Sequence, residues 1–151
     1  MHISIWEALA RLGTALIAGA VIGWEREASG RAAGLRTHML VALGSAGFSF
    51  IGVELISMTR QSSGHAGDLL RVIEAVATGV GFLGAGAIMQ SGKQVKGLTT
   101  AASIWIVAAA GVAAGVGLWM IAVLLTIFAL VTLSLLRFMT RSDAPAPDSS
   151  E

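Results

Sequence analysis

The chain has 151 residues, 55% of them hydrophobic and 13% charged, with a net charge of +1 and a mean hydropathy of +0.78. An average soluble domain is about 25% charged, and a soluble fold of this length could not hide so much apolar surface, so the expected solvent is lipid. Lys and Arg are scattered without a basic tract, which gives a nucleic acid nothing to bind, and the absence of Cys excludes disulfides, thiol chemistry and Cys-based metal sites.

In a bilayer the backbone must satisfy its own hydrogen bonds, which leaves helices or a closed barrel. The strict apolar–polar alternation of a barrel strand is absent. The reading is an all-α integral membrane bundle. Five stretches approach the roughly 20 residues that a span needs: residues 3–24, 39–58, 72–89, 98–116 and 118–138. The first holds Glu7 and Arg11, one helical turn apart and placed to pair. An acid ahead of the first arginine, and a polar cluster straight after the apolar run, favour a retained helix over a cleaved leader. The last two stretches meet at Gly115-Val116-Gly117, and merging them gives four spans as the alternative. His65 reads as a loop residue.

Arg26, Arg31, Arg36, Lys93, Lys96, Arg137 and Arg141 fall on one side of this arrangement, and Arg11, Arg60 and Arg71 on the other. The richer side is expected in the cytoplasm. That places the N-terminus outside and the C-terminus inside, and five spans split the charge more cleanly than four. Residues 1–139 form the expected transmembrane domain. Residues 140–151, TRSDAPAPDSSE, carry both prolines and read as a disordered cytoplasmic tail.

Residues 79–86 read GVGFLGAG. A G-x-G-x-x-G pattern signals a dinucleotide only between a strand and a helix. Inside an apolar span, Gly79, Gly81, Gly84 and Gly86 read instead as small residues for close helix packing. Gly19 with Gly23, and Gly111 with Gly115, are G-x-x-x-G pairs of the same kind. Gly92-Lys93 fails as a phosphate loop, because Ala87 and Gln94 stand where Gly and Ser or Thr are required. No nucleophile–base pair or multi-histidine cluster points to an enzyme.

Two polar groups stand out. On the inner side, Glu25, Arg26 and Glu27 end the first helix, and Arg36 and Thr37 open the second. A plain topology-setting loop and a docking surface both account for them. Thr99 and Thr100 open the fourth span, where a hydroxyl cap is the simplest reading. Trp105 reads as a packing residue. On the outer side, Glu54, Asp68, Arg71 and Glu74 lie near the helix ends. Arg71 is three residues from both Asp68 and Glu74, so an ion-pair seal is the plain reading. The alternative is a weak Mg²⁺ site on Asp68, Glu54 and Glu74, since that ion favours a few carboxylates plus water.

Taken together, these blocks resemble the MgtC/SapB family of bacterial inner-membrane proteins. The resemblance rests on Gly23-Trp24-Glu25-Arg26-Glu27, on AGLRTHMLV at residues 33–41, on Gly44-Ser45-Ala46, on GVGFLGAG at residues 79–86, and on GLTTAA at residues 97–102 with Ile104-Trp105. It implies a multi-pass protein of the bacterial cytoplasmic membrane, tied to adaptation to Mg²⁺ limitation. It also implies that the long-standing transport label competes with a regulatory role on membrane partners such as the F-type ATP synthase. Asp68-Leu69-Leu70-Arg71 keeps only the ends of the family's Asp-Pro-Thr-Arg block, and Glu74 replaces a small residue. The family's soluble C-terminal domain is expected to be absent. The two functional expectations are a regulator with membrane-protein partners and, as the alternative, an oligomeric transporter of Mg²⁺, another cation or a small solute. Neither needs a resident cofactor.

Overall fold

A computed structural model describes residues 4–58, 65–91 and 94–141, with backbone alone at residues 65–66, 68, 90–91 and 136–141. Five helices follow in order: α1 (Ile5–Ala28), α2 (Leu35–Met58), α3 (His65–Ala87), α4 (Leu98–Val116) and α5 (Trp119–Arg141). Each crosses from one end of the bundle to the other. Four contain stretches long and apolar enough to span a membrane, and the described apolar part of α5 is Trp119–Leu135. Large apolar side chains cover the outside, among them Ile17, Phe48, Phe82, Met120 and Phe128. Such a surface fits an apolar solvent.

Helix ends differ from expectation for local reasons. The Ser4 hydroxyl accepts from the Trp6 amide and starts α1. α1 then runs on to Ala28, so Glu25, Arg26 and Glu27 are helical. α3 begins at His65, which is therefore helical rather than a loop residue. Between α3 and α4 a short antiparallel hairpin forms, β1 (Met89–Ser91) with β2 (Gln94–Lys96), Met89 opposite Lys96. Met89 thus leaves the third span for a strand. Gly97 follows with φ at +90° and caps α4 without any side-chain bond. A Cβ there would collide with the Ala87 carbonyl, so glycine at this corner does the work expected of the threonines. The α4–α5 corner is Gly117, again left-handed at φ +93°, its amide bonded to Ala113 and Ala114 carbonyls. That is a helix stop that brings the chain straight back. Gly115 stays inside α4. α5 continues to Arg141, past the boundary expected at residue 139, and residues 142–151 of the tail lie outside the described residues.

α4 is the centre of the bundle and touches the other four helices. Of its span residues 56% are buried, against 11% for α3. The core is rich in alanine: Ala15, Ala42, Ala46 and Ala114 meet Ile22 and Val107 in one cluster. Gly111 lies on the backbone of Ala42 and Gly115 on that of Ala46, so α2 and α4 run parallel in close contact. Trp105 does not join this core; it is exposed on the outer face of α4.

Candidate functional site: two polar poles

At the hairpin pole, the end of α1 meets the start of α2 and α4. Arg26 is 2% exposed, and its Nε donates to Glu25 Oε2 at 2.5 Å. The other Glu25 oxygen accepts from the Ser29 hydroxyl at 2.9 Å. Glu25 is thereby held between a buried cation and the end of its own helix. Glu27 reaches across the link and accepts the Leu35 amide at 2.8 Å. A carboxylate there satisfies an orphan donor of α2 and meets the positive end of its dipole. Gly34 makes this approach fit, since a Cβ on it would come within 2.6 Å of Glu27 Oε2.

His38, wholly buried in the first turns of α2, completes the pole. Its Nδ1 lies 2.8 Å from the Gly34 carbonyl and its Nε2 3.0 Å from Ser103 Oγ on α4. Ser103 Oγ also donates to the Thr100 carbonyl at 2.8 Å. Two glycines of α1 create the room. A Cβ on Gly23 would stand 2.8 Å from Leu35 Cα and 3.0 Å from His38 Cβ, and one on Gly19 would stand 2.7 Å from the His38 carbonyl oxygen. Glu25, Arg26, Glu27 and Thr100 are thus drawn into one cluster, Thr100 through its carbonyl. Arg36, Thr37 and Thr99 are exposed and stay outside it. His38, Ser103 and Ser29 were missed by sequence reasoning. The signal was available: positions 38, 42, 45, 49 and 52 are all small or polar and recur at helical spacing on one buried face of α2.

The opposite pole is organised by Arg11 rather than by the expected acids. Arg11 pairs with Glu7, as the spacing suggests. Its Nη1 also donates to the Gly115 carbonyl at 2.8 Å, and its guanidinium lies 5.5 Å from the centroid of the Phe50 ring. A cation thus caps the carbonyl end of α4, where the helix dipole favours positive charge. Among the expected group, Arg71 and Glu74 are exposed and make no ion pair with each other. Asp68 lies in the first turn of α3, with its side chain outside the described residues. Glu54 Oε2 is buried without a hydrogen-bond partner. Among the described residues no group of three His, Asp or Glu side chains is placed to hold a metal ion; the expected Mg²⁺ set of Asp68, Glu54 and Glu74 includes Asp68, whose side chain lies outside them.

The glycines divide in the same way. Gly19, Gly23, Gly111 and Gly115 touch neighbouring backbone, whereas Gly84 faces Ala101 Cβ at an ordinary 3.6 Å. A Cβ on Gly79, Gly81 or Gly86 would meet nothing within 4 Å. Within this chain those three do not serve close packing, and Gly79 lines an open groove between α2 and α3. Between the two helices runs an apolar groove of about 620 Å³, lined by Leu40, Gly44 and Phe48 of α2 and by Ala75, Gly79 and Leu83 of α3.

Residues 12–142 match the model of the MgtC family. The chain belongs to the MgtC family. The matched region holds the whole hairpin-pole cluster and the groove. Among relatives of this MgtC-family chain, SrpB of Synechococcus elongatus is 47% identical over 132 residues, covering 82% of this chain and 71% of that protein. YhiD of Escherichia coli (strain K12), provisionally named a magnesium transporter, is 38% identical over 139 residues, 89% of this chain and 62% of its own length. MgtC of Brucella abortus is 40% identical over 137 residues, 88% of this chain and 54% of that protein. The chain therefore spans little more than half of some of these relatives. No solved structure matches it.

Proposed function

We propose that this protein is a non-catalytic regulator in the bacterial cytoplasmic membrane, serving adaptation to Mg²⁺ limitation by docking helices of other membrane proteins. The observation that carries this reading is the glycine face of α3. Gly79 and Gly86, seven residues apart and so on one face of the helix, have no neighbour where a side chain would be, and Phe82 beside them is 82% exposed. Helices associate in lipid through small residues that let backbones approach. Inside this chain that face is unused, so it is available to a helix from outside, either a second copy or a partner such as the F-type ATP synthase that the family resemblance suggests. The rigid α1–α2–α4 core supplies the scaffold. The hairpin pole, rich in Arg and Lys, faces the cytoplasm, and the N-terminus lies outside.

A second reading has one observation of its own. The Glu54 oxygen buried without a partner, at the pole that faces outward in this orientation, is where a cation would enter if an oligomer transported Mg²⁺. The name of YhiD suggests the same. Mg²⁺ flux into proteoliposomes separates the two. The regulator reading expects flux equal to that of empty liposomes from protein shown to be folded. Flux that Glu54→Gln or Asp68→Asn abolishes would replace it with transport.

A further inference from the structure

The His38 contacts contain a competition. The Gly34 carbonyl can only accept, so Nδ1 carries a hydrogen. Ser103 Oγ has a single hydrogen to donate, yet it lies 3.0 Å from His38 Nε2 and 2.8 Å from the Thr100 carbonyl. If that hydrogen goes to Nε2, the ring is neutral and the Thr100 carbonyl loses this bond. If it goes to Thr100, Nε2 must carry a hydrogen of its own and the ring is an imidazolium. A purely structural histidine needs one fixed donor and one fixed acceptor. Here the donor is shared with a rival acceptor at a comparable distance.

We propose that His38 and Ser103 form a proton-binding site, in which a proton taken up at Nε2 turns the Ser103 hydroxyl from the imidazole to the Thr100 carbonyl. The step adds one proton from water at the hairpin pole. No covalent bond breaks and no electron moves. Both patterns satisfy His38 fully, which is what a buried polar group requires to be stable in either state. The charged groups that act on the ring are Glu25 and Arg26, both on α1 and bonded to each other. α4 carries no ionisable side chain and offers only Ser103 and Thr100 here, and Arg36 on α2 is exposed. Thr100 belongs to the first turn of α4, whose cap at Gly97 provides no side chain. A hydroxyl that bonds back to this turn in one state and not in the other alters its geometry, directly beside the hairpin.

The inference adds a signal to the regulator reading and rests on that reading only for its biological purpose. The test uses the full chain in lipid nanodiscs, with His2→Gln and His65→Gln leaving His38 as the one labelled histidine. Imidazole ¹⁵N shifts are followed from about pH 5 to about pH 9, the range in which histidine charge is set by its surroundings. The expected result is a bare Nε2 and a protonated Nδ1 at high pH, both nitrogens protonated at low pH, and a midpoint that moves in Ser103→Ala. The proposal is overturned by a ring that keeps one state throughout, by a neutral form with its hydrogen on Nε2, or by an unmoved midpoint in folded Ser103→Ala. The readout is independent of growth and of partners, so its failure and a failure of partner docking are told apart.

Discussion

α4 and α3 are both glycine-rich helices long enough to span a membrane, yet they use glycine in opposite ways. On α4, Gly111 and Gly115 sit on the backbone of α2, and more than half of the span is buried. On α3, three of the four glycines in residues 79–86 face nothing. In lipid there is no hydrophobic force to drive helices together, and close contact comes from van der Waals packing of small residues. A glycine stripe is therefore a statement about contact distance. Where the contact exists it fixes the fold, and where it is missing inside the chain the same stripe becomes a surface. The MgtC-family chain thus separates into a locked α1–α2–α4 scaffold and a loosely held α3.

The largest effect should come from the locked side. Gly111→Ala and Gly115→Ala each put a methyl group into backbone of α2, and each is expected to destabilise the bundle by about 3 kcal/mol, at the upper end of overpacking effects. Thermal unfolding in detergent reads this. The same change at Gly79, Gly81 or Gly86 is expected to move stability by less than about 0.5 kcal/mol, or to raise it slightly, because alanine favours helix over glycine. Equal losses on both helices would erase the distinction.

Arg26→Ala comes next. It removes the buried cation that bonds the half-buried Glu25 carboxylate, which is expected to cost about 2 kcal/mol. The comparison at the other pole is Arg11→Gln. That change keeps a donor but removes the charge at the end of α4, and about 1 kcal/mol is expected, more weakly at high salt. The smallest effect is set for α3: Arg71→Ala and Glu74→Ala, both exposed and unpaired with each other, should stay within about 0.5 kcal/mol. A larger loss there would mean that α3 is tied down more firmly than its packing indicates.

Much of this division was legible in the residues. Long apolar runs with glycine spacing were enough for five helices, and the Glu7–Arg11 pair followed from one helical turn. The glycine role split was not legible, because a G-x-x-x-G stripe looks the same whether or not a neighbour is present; only the tertiary neighbours of each helix decide. His38 and Ser103 are 65 residues apart, and nothing local joins them until α2 and α4 lie parallel. Thr99 and Thr100 suggested a cap, but the left-handed turn at Gly97 had already closed the helix start. At the outer pole, three acids near the end of α2 and the start of α3 invited a metal reading. The bond from Arg11 to the Gly115 carbonyl went unnoticed there, because no sequence pattern marks a backbone carbonyl as a partner.

The most direct test of the account is growth in limiting Mg²⁺ supported by a Gly79→Leu/Gly86→Leu variant whose unfolding temperature matches the parent. The account predicts a folded, membrane-inserted protein that no longer supports growth, because the docking face of α3 is blocked while the scaffold is untouched. Full growth from that variant would contradict it and remove α3 from the function.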